Sequence, residues 1–195
     1  KLHLQDAKAR LWPNPWRLFP GEITANRPEP AQDGAALVTV SMPTCGTPPD
    51  LLRKAVLGVL GQTERRIRLI VVNDAGGRSC WDAIADIGDA RLTRLDMPEN
   101  VGAYACHAET LRRCSTEWWS PHDSDDYCLP DRYAALLRAA GETGDDVVLG
   151  GYTDIGVSGR ERTMPPHGSP QGTALAKHIR YMTVWAGALW RASWL

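Results

Sequence analysis

From Ala36 to Tyr152 the chain alternates between two kinds of apolar pattern. One is a short, β-branched run closed by turn-forming residues, the signature of a buried strand. The other is a longer stretch with apolar residues three and four apart, the signature of a helix with one buried face. Ala36–Met42 is a predicted strand, ended by Pro43-Thr44-Cys45-Gly46. Leu51, Leu52, Ala55, Val56, Val59 and Leu60 then predict a helix from Pro49 to Gly61, with Thr47 or Asp50 as its cap. Ile67–Val72 is a second strand, stopped by Asn73-Asp74-Ala75-Gly76-Gly77. A helix over Cys80–Ile87, a strand over Arg91–Leu95, a turn at Glu99–Gly102 and a helix over Ala103–Arg113 follow. The series ends with a strand over Glu117–Pro121, a helix over Pro130–Ala140 and a strand over Val147–Tyr152. Strict alternation of this kind predicts right-handed crossovers and an α/β fold, a mostly parallel sheet flanked by helices.

The flanks read differently, which divides the chain into residues 1–35, 36–152 and 153–195. Lys1–Leu11 suits a helix, but the proline-rich stretch from Trp12 to Pro30 cannot continue it, so 1–35 reads as an arm and linker. Residues 156–174, rich in Gly, Pro, Ser and charge, read as a long loop, and Met182–Trp190 as an apolar, strand-like segment. Residues 153–195 read as the start of a further region, incomplete at the C-terminus.

Composition narrows the chemistry mainly by exclusion. A net charge of -1 gives no electrostatic case for nucleic acid or an anionic membrane. No apolar run reaches the length of a membrane span. The five cysteines, at 45, 80, 106, 114 and 128, contain no CxxC pair, so neither a zinc site nor a disulfide framework is expected. Free thiols suit a cytoplasmic location.

The strongest chemical signal is Asp123-Ser124-Asp125-Asp126, directly after a predicted strand. Carboxylates crowded at the C-terminal end of a strand lie where α/β sheets bind ligands. Oxygen-only donors of this kind suit Mn2+ or Mg2+ bridging to phosphate. An alternative is that Asp125 or Asp126 caps a helix starting near Leu129 or Pro130.

Several pieces, in order, resemble family 2 glycosyltransferases. They are Val38–Thr44, Ala55–Thr63 and Ile70–Gly76, then Asp89–Leu92 with Glu99–Gly102, and Asp123–Asp126 with Leu129–Arg132. Gly187–Arg191 is a weaker echo. The resemblance implies a GT-A fold, a Rossmann-like sheet binding a UDP- or dTDP-sugar donor. It implies that Pro43, Thr44 and Cys45 lie against the nucleoside, that Asp74 accepts from the base, and that Gly102 belongs to the donor site. Asp125 would bind the metal, Mn2+ or Mg2+, and Asp123 would reach the ribose or the metal through water. The implied activity is metal-dependent transfer of the sugar to an acceptor hydroxyl with inversion. The general base of such a reaction would lie beyond Leu195. A non-catalytic nucleotide-sugar-binding domain is one alternative. A sugar nucleotidyltransferase is another, but Thr44–Pro49 lacks the basic, glycine-rich loop such an enzyme needs. Where the family usually carries Arg-Asn, this chain has His107 and Ala108. His122 stands where an apolar residue is common and reads as filling the strand end; Trp185 is a candidate for stacking on a sugar ring, with core packing its commoner fate.

Overall fold

The computed structural model describes residues 36–155, 161–164 and 187–194. Its strands are β1 (Val38–Thr44), β2 (Ile67–Asn73), β3 (Leu92–Asp96), β4 (Trp118–Pro121), β5 (Val147–Leu149), β6 (Tyr152–Ile155), β7 (Glu161–Met164) and β8 (Ala188–Arg191). Its helices are α1 (Pro49–Leu60), α2 (Ser79–Asp82), α3 (Ala103–Arg112) and α4 (Arg132–Thr143). Six strands form one sheet in the order β3-β2-β1-β4-β8-β5, while β6 and β7 pair antiparallel in a separate sheet. The first four strands of the large sheet run parallel, as the alternation predicts.

Strand alternation sorts side chains onto the two faces of this sheet. Val38, Val40 and Met42 of β1 pack with Leu52, Val56 and Val59 of α1 and Tyr133 and Leu136 of α4. Ile70, Val72 and Leu95 face the other way and pack with Cys106 of α3. The adjacent Trp118 and Trp119 split between faces for the same reason, one joining the α1 cluster and the other packing with Val147, Leu149 and Trp190. Pro43 fits inside β1 because alternate residues bond to alternate neighbours. Ser41 accepts from His122 on the β4 side and Thr44 from Asp74 on the β2 side. Pro43, in phase with Ser41, turns its missing N–H towards β4, where that ladder ends.

Four expectations change. The predicted helix over Cys80–Ile87 is only the four residues of α2, followed by turns closed by i→i−3 bonds at Ile84 and Ile87. The carbonyls beyond it are taken by side chains: Ala83 accepts from Arg53 at 3.1 Å and Ile84 from Arg94 at 2.6 Å. The predicted strand Val147–Tyr152 breaks at Gly150-Gly151 into β5 and β6. Within the predicted loop at 156–174, residues 161–164 form β7 against β6. Finally, α4 starts at Arg132 with Asp131 at the N-cap position, so neither Asp125 nor Asp126 caps it.

The sheet also contains an antiparallel strand. β8 inserts between β4 and β5, pairing Trp190 with both Trp119 and Val147. Arg191 holds it in place: its guanidinium lies 4.4 Å from the Trp118 ring centroid, donates to Asp146 at 2.6 Å and pairs with Glu117. Residues 1–35 and Trp185 lie outside the described residues.

Candidate active site

The chain runs from β1 outward to β2 and β3, then returns to the opposite side of β1 as β4. Strand order therefore reverses beside β1, and the crevice at such a switch point is where open α/β sheets bind ligands. Pairing carries β2 one residue past Thr44 to Asp74, and β4 two residues past Pro121 to Asp123. β1 stands between them, so at about 4.8 Å per strand the two strands that lead to these acids lie about 10 Å apart. Pro43 and Thr44 at the C-terminal end of β1, with Cys45 after them, belong to the strand between the two.

Asp74 is buried, and its carboxylate is engaged on both oxygens. Oδ1 accepts the backbone N–H of Val101 and Oδ2 that of Gly102, each at 2.8 Å. It thereby fixes the loop that leads into α3. Each oxygen keeps further lone-pair capacity for a ligand donor. Around it the loops interlock. Asn100 donates to the Asp74 carbonyl at 3.4 Å and contacts Cys45 Sγ at 3.1 Å. Asn73 accepts from Gly76 N–H at 2.9 Å and donates to Asp96 at 2.8 Å. A Cβ on Gly76 would lie 2.9 Å from the Gly46 nitrogen, so glycine is what lets the β1 and β2 loops touch.

The Asp123–Asp126 loop is pinned from below. His122 donates from Nδ1 to the Asp123 carbonyl at 2.7 Å, and Ser124 Oγ meets Thr47 Oγ1 at 2.7 Å. The Tyr127 ring lies over α1, where a Cβ on Gly58 would come within 3.3 Å of it. Gln62 is fully buried just past α1. Its amide donates to the Leu129 carbonyl at 2.7 Å and the Gly58 carbonyl at 3.0 Å, and accepts from Tyr133 N–H at 3.2 Å. With the loop so held, Ser124 is buried and Asp123, Asp125 and Asp126 are exposed. Partial burial, then the charges of Asp126 and Asp125, push the Asp123 carboxyl above the usual aspartate range, with Arg132 opposing. A cation beside these oxygens would relieve that crowding.

The donor set fits Mn2+ or Mg2+. Among the described residues no three acidic, histidine or cysteine side chains converge into a cage. A magnesium-type site needs none, because it uses one or two carboxylates together with substrate phosphate.

Neither Thr47 nor Asp50, the two cap candidates read from sequence, caps α1, which has Pro48 at its N-cap and no side-chain cap. Ser124 and Gln62 carry no sequence signal for these roles, because Thr47 and Leu129, which they bond, are 77 and 67 residues away in the chain. His107 packs inward: Nδ1 lies 2.7 Å from Ser41 Oγ, and its ring meets Trp119 edge-on at 5.6 Å. A cavity of about 440 Å³ lies against α1, lined by Lys54, Leu57, Gly58 and Tyr127 among others.

Residues 39–189 match the family described as Glycosyl transferase family 2. A succinoglycan biosynthesis protein, ExoO, of Rhizobium meliloti is 23% identical over 59% of this chain and 33% of its own length. An uncharacterized glycosyltransferase of Haemophilus influenzae is 23% identical over 53% of this chain and 39% of its own. The chain thus spans little more than a third of the curated relatives it matches. Among solved structures, S. aureus TarS 1–349 in complex with UDP superposes with a TM-score of 0.62 at 19% identity, covering 80% of this chain and 47% of that one. A mannosyltransferase, PcManGT, from Pyrobaculum calidifontis in complex with GDP-Man and Mn2+ gives 0.53 at 18% identity, covering 76% and 44%. The fold is the GT-A, Rossmann-like one that these neighbours share. No helix among the described residues is long and apolar enough to cross a membrane. With most of its length matched and the expected sheet in place, the chain belongs to glycosyl transferase family 2.

Proposed function

We propose that this chain carries the donor half of a metal-dependent glycosyltransferase that moves a sugar from a UDP- or dTDP-sugar to an acceptor hydroxyl with inversion. The observation that supports the reading is the strand order β2-β1-β4, which makes neighbours of the strands whose C-terminal ends lead to Asp74, to Pro43–Cys45 and to the Asp123–Asp126 loop. Pro43, Thr44 and Cys45 form the floor under the nucleoside. Asp74 and the loop it fixes, Asn100 to Gly102, form the wall that meets the base. A carboxylate only accepts, so Asp74 selects a base edge that donates, as the imide of uracil or thymine does. UDP in the TarS complex supports this choice; GDP-Man in the other neighbour makes a guanine donor the rival to be tested.

Asp125, with Asp123 directly or through water, would hold Mn2+ or Mg2+ against the diphosphate. Such a cation acts as a Lewis acid on a leaving group that gains negative charge. The chain's own residues orient that group: Asp74 fixes one loop, Ser124 and Gln62 the other.

The test is a thermal-shift and calorimetric screen of UDP, dTDP and GDP, with and without Mn2+, since a ligand of the folded state raises its melting point. UDP or dTDP should bind better with Mn2+. Asp125→Ala should remove the metal-dependent gain, and Asp74→Ala should weaken nucleotide binding while that gain persists. Unchanged UDP and Mn2+ affinity in Asp125→Ala would count against the metal assignment.

A further inference from the structure

We infer that Thr47 is a positioning residue for the metal-binding carboxylates, acting through Ser124. The inference rests on the donor-site reading above. Thr47 stands on the loop between Cys45 and α1, on the nucleoside side of the site, while Ser124 sits between the two acids assigned to the metal. Their hydroxyls meet at 2.7 Å although the residues are 77 apart in sequence. Two features show that this contact is selective. Thr47 stands one residue ahead of the N-cap position, which Pro48 holds, so its hydroxyl makes no cap to α1 and turns to the Asp loop. Ser124 is also turned inward, at 7% exposure, while both of its acidic neighbours are exposed.

The consequence follows from the loop's geometry. Asp123 and Asp126 close a turn around Ser124 through a 3.3 Å backbone bond. Anchoring the inner residue of that turn fixes the outward direction of the flanking carboxylates. Without the anchor, the loop keeps its outer pins at His122 and Gln62, so the fold survives while the two acids gain freedom. Ordering them would then cost affinity whenever the cation binds. The hydrogen bond also joins the loop that follows the nucleoside floor to the metal loop, so movement of one reaches the other.

The experiment is isothermal calorimetry of UDP, with and without Mn2+, on the chain as described, its Thr47→Val, Thr47→Ser and Ser124→Ala variants, and the Thr47→Val/Ser124→Ala double variant. Thr47→Val should lower the Mn2+-dependent gain in UDP affinity about three- to tenfold, the scale of one hydrogen bond. UDP affinity without metal should hold. Ser124→Ala should match it, the double variant should lose no more than either, and Thr47→Ser should restore the gain. An undiminished gain in Thr47→Val, equal loss with and without metal, or losses that add in the double variant would overturn the inference. A parent chain whose UDP affinity is indifferent to Mn2+ defeats the metal assignment itself, which separates that failure from this one.

Discussion

At the scale of single residues, the two buried histidines carry the clearest physical consequence. His107 lies in a network with Ser41 and Thr110, and burial pushes its pKa down to about 4. Burial, then the charge of Arg132, pushes His122 down to about 3, against its bond to the Asp123 carbonyl. In the unfolded chain both titrate near ~6.5. Below that value the unfolded state binds more protons than the folded one, so stability is whole above it and falls as pH drops towards the folded values. Each histidine contributes at most about 1.4 kcal/mol per pH unit in its window. Urea melts between about pH 7.5 and 4.5 should therefore show stability declining with acid. His107→Gln, which can still bond Ser41, should flatten that decline; an identical slope would show that His107 is not held neutral. Asp74 and Asp123 were legible as candidates because charged turn formers directly after apolar runs mark strand ends. The bond between His107 and Ser41 was not, since the two are 66 residues apart in the chain.

At the scale of elements, α1 is a platform for the acidic loop as well as a core helix. Its inner face buries Leu52, Val56 and Val59. Its ends and outer face hold the loop through Thr47, Gly58 and Gln62. Gln62→Leu keeps the volume but strands the buried Tyr133 N–H and removes the side-chain donor to the Gly58 carbonyl, while the Leu129 carbonyl keeps the Arg132 N–H. A buried group left without its partner costs about 1–3 kcal/mol, so thermal melts should show a loss of at least that size. A loss within about 0.5 kcal/mol, as at ordinary surface sites, would mean that other groups hold the loop. The helical face of α1 was visible in its periodicity because repeated burial on one side leaves a 3.6-residue imprint. The failure of the helix predicted over Cys80–Ile87 was not, because the competing donors, Arg53 and Arg94, come from elsewhere in the chain.

At the scale of the whole molecule, β8 ties the edge strand β5 to the parallel sheet. In the strand order it is the neighbour shared by β4 and β5. Removing residues 187–195 would open the ladders of both strands and expose Trp119, Val147 and Leu149. Such a chain should bind a hydrophobic dye and lose a single sharp thermal transition, as expected when packing loosens and sheet edges lie open. A sharp transition at the parent temperature would show that α4 packing alone retains β5.

The sequence by itself determined the αβ rhythm, the parallel character of the first strands, and the two acidic strand ends. Those are local properties: burial imposes a period, and turn-forming residues mark where it stops. Only the tertiary structure decided that β4 returns beside β1, that an antiparallel strand from the far end of the chain enters the sheet, and that Thr47 turns from helix cap to partner of Ser124. Each of these depends on groups brought together across long stretches of chain, and a hydrogen-bonding side chain takes whichever partner the fold delivers.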